Sequence, residues 1–211
     1  MPDRCAELEH LCLGELAKAG GDAAHDLDHV RRVVANARRL AAAEDARLDI
    51  VLPAAWLHDC VAVPKDSPQR AGASRLAAAQ AVAWLRAWGW PPELLPDIAH
   101  AIEAHSFSAG VAPRTVEAKV VQDADRLDAL GAAGLARCLM LSGETGRPLY
   151  AAEDPFCERR PPDDRVAAVD HFYTKLLRLE DLMQTASGRR EARERTEFLR
   201  AFLAQLRKEM G

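Results

Sequence analysis

The stretch 52-LPAAWLHDCVAVPKDSPQR-70 begins as a helix of small and apolar residues and stops on His58 and Asp59. Behind them comes a proline-bearing segment with Lys65 and Arg70. Two prolines in close succession, Pro64 and Pro68, remove amide donors and disfavour helix, so the break falls where the titratable residues begin. An apolar helix ending on an imidazole and a carboxylate, with two cations following, is a place where chemistry could be mounted on a rigid element.

Working outward, the same grammar repeats. The sequence predicts helices over about 3–19, 26–44, 48–59, 71–88, 93–105, 115–129 and 132–141, then 165–185 and 189–209. Gly20 and Gly21, the 89-GWPP-92 turn and the 106-SFSAGVAP-113 loop separate them. In the second helix Val30, Val33, Ala37 and Leu40 recur at spacings of three and four, which marks a buried face. In the last, Phe198, Phe202 and Leu206 share a face, read as a packed terminal helix with an oligomer contact as the alternative. Runs of β-branched residues with period two are almost absent, so an all-α, single-domain helical bundle is expected. Its parts are an N-terminal helix (1–21), a main domain (22–185) with an irregular, proline-rich excursion at 143–164, and a C-terminal helix (186–211) packed on the same domain.

Composition removes several classes of function. The 211 residues carry 28 basic and 32 acidic side chains, a net charge of −4, with no basic block to bind nucleic acid. No apolar run is long enough to span a membrane and the first residues contain no leader-like apolar core, so a cytoplasmic protein is expected. Five cysteines without a CxxC pair suggest neither a disulfide framework nor a thiolate zinc site.

The residues that stand out are 25-HDLDHVRRV-33, 58-HD-59, 105-HSF-107 and 121-VQDADRLDAL-130. His29 lies near the start of one amphipathic helix, His58 and Asp59 at the end of another, and an aspartate inside a third, so three helices could aim N and O donors at one point. Two imidazoles and two carboxylates suit Mn²⁺, Mg²⁺, Ni²⁺, Fe²⁺, Co²⁺ or Zn²⁺. Four protein donors leave positions for water and substrate around a six-coordinate ion, a catalytic pattern rather than a closed structural one. Asp123, Asp125 and Asp128 compete for the last position.

The order His…His-Asp…Asp along a helical chain resembles the HD-domain superfamily of metal-dependent phosphohydrolases, through 29-HVRRV-33, 58-HD-59 and 124-ADRL-127. It is similar in particular to the YedJ-like bacterial branch, through 58-HDCVAVPKDSPQR-70, 105-HSFSAG-110, 121-VQDADRLDALGAAGLAR-137 and 148-PLYAAEDPF-156. The resemblance implies one divalent ion held by His29, His58, Asp59 and Asp125, the last chosen over Asp123 because it occupies the aspartate of the Ala-Asp-Arg-Leu pattern. It implies catalytic roles for Asp59 and His105, and substrate contacts from Lys65, Arg70 and His25. The expected reaction is attack of metal-supplied hydroxide on the phosphorus of a soluble ester or anhydride, most readily a nucleoside triphosphate cleaved to release pyrophosphate. The alternative is a non-catalytic signalling module that holds a nucleotide or metal in the same pocket. The superfamily's alarmone hydrolases carry a Glu-Asp pair where this chain has Ala62 and Val63, and its cyclic-dinucleotide phosphodiesterases a Gly-Tyr-Pro signature absent here, so both activities are disfavoured. A homo-oligomer is compatible with the sequence.

Overall fold

The computed structural model describes residues 2–18, 23–61, 63, 72–106 and 109–210, with the side chains of 2–6, 16–18 and 23–26 left aside. Among the described residues every regular element is helical, so the all-α expectation holds. The helices are α1 (Pro2–Lys18), α2 (Ala23–Ala43), α3 (Leu48–Leu57), α4 (Ala73–Ala87), α5 (Leu95–His105), α6 (Val116–Asp128), α7 (Gly131–Glu144), α8 (Ala168–Thr174) and α9 (Ala186–Met210). No helix among these residues is long and apolar enough to cross a membrane. The chain forms two compact units, Met1–Asp125 and Arg126–Gly211.

The first unit is organised on α3, whose residues Ile50 to Leu57 are all buried. A helix apolar on every side belongs at a centre rather than on a surface, and α3 packs against both α2 and α5. Pro53 sits inside it and cannot donate to the carbonyl of Asp49, four residues back. That carbonyl instead accepts the Trp90 indole N–H at 3.3 Å. The proline is thereby tolerated, and the helix runs on to its functional end. On α2 the predicted stripe Val30, Val33, Ala37 and Leu40 is buried.

In the second unit, Gly131 opens α7 with φ +66°, a conformation that costs glycine least. A Cβ at Gly134 would lie 2.1 Å from the carbonyl of Ala129, so only glycine permits that turn. The terminal helix corrects one expectation. Ala192, Thr196, Leu199 and Leu203 form its buried stripe, while Phe198 is 47% exposed and Phe202 only half-buried, stacked on Phe172 at 5.8 Å.

A second correction concerns 165–185, where α8 covers only Ala168–Thr174 and is followed by two 3₁₀ turns, Leu176–Arg178 and Glu180–Leu182. Leu176 and Leu179 are both buried, and a three-residue turn puts positions three apart on one side, which a continuing α-helix does less well. Arginine guanidiniums take up carbonyls that the interrupted helix releases: Arg126 bonds the Leu182 carbonyl and Arg189 that of Met183.

The excursion before α8 is held by carboxylates. Asp154 accepts the backbone N–H groups of Glu158, Arg159 and Arg160 at 2.8 to 3.0 Å. Fully buried Asp170 accepts both Arg160 guanidinium nitrogens, at 2.5 and 2.8 Å, and the Asp163 amide at 2.7 Å. Burial disfavours its charge, but these three donors outweigh burial and hold the carboxyl below its usual range. Asp170→Ala leaves those donors without their acceptor and is expected to cost about 3 kcal/mol of stability, read from the shift of a urea midpoint. Because the folded value is the lower one, this contribution is complete above the unfolded carboxyl value of about 3.9 and fades as pH falls below it. The wild type should therefore lose its advantage over the variant in acid.

Candidate metal centre

α3 ends at Leu57, and the next two residues project from its C-terminal turn. His58 is fully buried, whereas the Asp59 side chain keeps 62% of its surface exposed. The His58 ring is fixed by its own helix: Nδ1 donates to the Ala55 carbonyl at 2.9 Å, leaving Nε2 to face outward from the helix. Burial, aided by the neighbouring histidines, pushes the imidazole below its ordinary value despite the pull of Asp59 and Asp125. His58 is thus neutral, with its lone pair on Nε2.

Around that atom other donors gather. His29 Nε2, from α2, lies 3.3 Å away, Asp59 Oδ2 3.6 Å and Asp125 Oδ1, from α6, 3.9 Å. His29 Nε2 is 3.5 Å from the same Asp125 oxygen. Ligands at about 2.1 Å from one ion are separated by roughly 3.0 Å in octahedral and 3.4 Å in tetrahedral arrangement, so the spacings within the His29–His58–Asp125 trio suit a divalent cation with modest contraction. The chemistry of the set agrees: a neutral imidazole lone pair facing two carboxylates is an assembly of acceptors that a cation reconciles.

His105 closes the far side. Its Nδ1 donates to the Ile102 carbonyl at 2.6 Å and its Nε2 lies 3.4 Å from Asp59 Oδ1. The ring meets that of His58 edge-on, centroids 4.9 Å apart. Two overlapping groups result, His29–His58–Asp125 and His58–Asp59–His105. His58 offers one outward nitrogen, so it can complete only one of them. Asp59 belongs to the second, with Oδ2 toward His58 and Oδ1 toward His105. Although burial opposes protonation of His105, its contact with Asp59 and the charge of Asp125 raise its affinity for a proton above the ordinary histidine value. Asp59 is held well below the usual carboxylate range: desolvation pushes it up, and the surrounding histidine cluster, in which His105 carries the proton and bonds Oδ1, outweighs this.

Five of the residues singled out by sequence therefore meet: His29, His58, Asp59, His105 and Asp125. Asp123 is fully buried and belongs to neither group, and Asp128 is engaged by Arg137 at 2.6 Å. Lys65 and Arg70, and the side chain of His25, lie outside the described residues. Cys60, next to the pair, is buried with its Sγ against the Ala77 carbonyl, and burial pushes its thiol up to about 12, so it is no nucleophile.

Sequence reading missed the groups that hold the donors in place. Asn36 Nδ2 donates to the Ala124 carbonyl at 3.2 Å, and Gln122 Nε2 to that of Ala104 at 2.5 Å. Both side chains are buried. The available signal was a polar amide interrupting an apolar helix face, seven residues after His29.

A helical framework carrying two histidine–aspartate groups that share His58 defines a protein with groups that could hold a metal ion. The family described as HD domain matches residues 26–130. YpgQ of Bacillus subtilis, an uncharacterized protein, is 36% identical over 190 residues, which cover 88% of this chain and 84% of that one. A crystal structure of YpgQ in complex with ADP superposes with a TM-score of 0.71 at 33% identity, covering 98% of this chain and 95% of that one. An HD-superfamily hydrolase from Bacillus thuringiensis gives 0.76 at 32% identity over 97% of each chain. The chain belongs to the HD-domain superfamily, whose solved neighbours include proteins described as hydrolases.

Proposed function

We propose that this chain is a metal-dependent phosphohydrolase whose substrate is a nucleotide, cleaved at a phosphoanhydride in the manner of a nucleoside-triphosphate pyrophosphohydrolase. The observation that carries the reading is the gathering of His29 Nε2, Asp59 Oδ2 and Asp125 Oδ1 at 3.3, 3.6 and 3.9 Å from His58 Nε2, with His29 and Asp125 themselves 3.5 Å apart. The YpgQ complex with ADP supports a nucleotide as the ligand class.

In this reading His29, His58, Asp59 and Asp125 are the ligands. A divalent ion held there supplies acidity to water and positive charge to a phosphoryl oxygen. The chain's own residues do the rest. Neutral His58, locked by Ala55, gives the site a fixed nitrogen. Asp59 orients both its neighbours through its two oxygens. His105 holds a proton on Nε2, beside Asp59 Oδ1, where it can be passed to a departing phosphate oxygen. Lys65 and Arg70 follow the pair closely in sequence and are proposed to take phosphate oxygens, with His25 lining the same cleft; phosphoryl transfer depends on such positioning charges.

The test is a panel of nucleotides and other phosphate compounds, assayed with Mn²⁺, Mg²⁺, Ni²⁺ and Co²⁺ separately, with phosphate and pyrophosphate release both measured. Pyrophosphate from a nucleoside triphosphate supports the proposal; no release of either product from any compound overturns it. Lys65→Ala is expected to raise KM by roughly tenfold or more, the scale of one charged hydrogen bond, while metal affinity stays unchanged.

A further inference from the structure

We infer that Asn36 is a positioning residue for the metal centre: its side-chain amide fixes the register of α6 against α2 and so places Asp125 opposite His29. The inference rests on the ligand set proposed above.

Within the first unit, side chain–backbone bonds clasp α6 at three places along its length. Near its start, Glu117 accepts the Arg47 amide at 3.2 Å. Gln122 donates to Ala104 in α5, and Asn36 in α2 donates to Ala124. Of the three, the Asn36 bond lies directly beside Asp125. Along α2, Asn36 stands seven residues from His29, two turns on and on the same face. Both residues are buried, Asn36 at 3% and His29 at 6% exposure. α2 thus meets α6 at adjacent positions: Asn36 on the Ala124 carbonyl and His29 on the Asp125 carboxylate, at 3.5 Å. A slip of one residue along α6 would move Asp125 by about 1.5 Å and turn it by about 100°, out of reach of His29.

The amide is itself oriented. Arg39 donates to Asn36 Oδ1 at 2.8 Å, so the oxygen faces the guanidinium and the NH₂ group faces α6. An aspartate at this position would keep the Arg39 partner but set an oxygen against the Ala124 carbonyl. A packing role alone would not discriminate between the two, because they have nearly the same shape.

The experiment measures Co²⁺ and Mn²⁺ binding to the full chain without substrate, by calorimetric titration, together with the visible spectrum of the Co²⁺-loaded protein. Asn36→Leu and Asn36→Asp are both expected to weaken binding tenfold or more, the usual scale for a group that orients a ligand, and to change the Co²⁺ bands as Asp125 leaves its place. Leu40→Ala, a cavity variant on the same face of α2, serves as the comparison. It should lower the melting temperature while leaving affinity within about twofold and the bands unaltered. Wild-type affinity and bands in Asn36→Asp, or an equal loss in Leu40→Ala, would overturn the positioning role. Wild type that binds neither ion overturns the ligand assignment beneath it, and the hydrolysis panel is not needed to tell these results apart.

Discussion

Asp59→Ala is expected to remove metal binding and hydrolysis together while leaving the metal-free protein folded. The side chain is 62% exposed, so little packing is lost, and exposed substitutions away from the core usually change stability by about 0.5 kcal/mol or less. The chemical loss is larger. Oδ2 stands 3.6 Å from His58 Nε2 and Oδ1 3.4 Å from His105 Nε2, so one truncation takes the proposed ligand beside His58 and the anionic partner of His105. Loss of a direct ligand should exceed the roughly 10- to 100-fold that follows from disturbing an outer partner. Titration with Mn²⁺ and turnover on whichever compound of the panel the wild type hydrolyses would show both effects, and the melting curve would show neither. A second signature is independent of turnover. Asp59 raises the proton affinity of His105, so the His105 resonance in the metal-free variant should titrate at lower pH than in wild type. Asp59→Ala that still bound Mn²⁺ tightly would remove Asp59 from the ligand set.

What the sequence could and could not reveal follows from the range of each interaction. Helix α3 was legible because burial on every side leaves a continuous apolar run, and its end was legible because two prolines follow. His29, His58 and Asp125 were legible as candidates from their order and the helices bearing them. Their convergence was not, because it depends on three contacts between residues far apart in the chain. The choice of Asp125 over Asp123 came from a motif, and what separates two aspartates two residues apart is tertiary: Asp123 is fully buried, whereas Asp125 is partly exposed and faces His29 of α2. The break after Thr174 was illegible for a related reason: 175-KLLRLEDLMQT-185 contains no proline or glycine, and the carbonyls released there are taken up by arginines from α6 and α9. The buried stripe of α9 was misread because aromatic rings were favoured over small residues. Ala192 and Thr196, with less to bury, are the ones that allow close approach.

His105→Gln separates proton handling from metal binding. Glutamine retains a polar end near Asp59 but cannot carry and release a proton, and His58 has no second outward nitrogen with which to bind an ion shared with His105. Metal affinity is therefore expected to stay within a few-fold of wild type, while kcat falls by about 10²- to 10³-fold, the range of a positioned general acid. The pH profile decides the role. A histidine raised above its ordinary value of about 6.5 stays protonated to higher pH and loses its proton as pH climbs through the folded value. Activity that needs this proton must decline on the alkaline side, and that decline should be missing in His105→Gln. A cation beside Asp59 works against protonation, so the position of the alkaline limb measures how far the carboxylate charge is shared between the ion and the imidazole. A glutamine variant that kept the limb would assign the proton to another group. Loss of metal together with kcat would instead place His105 among the ligands and make Asp59 the bridge between two halves of one centre.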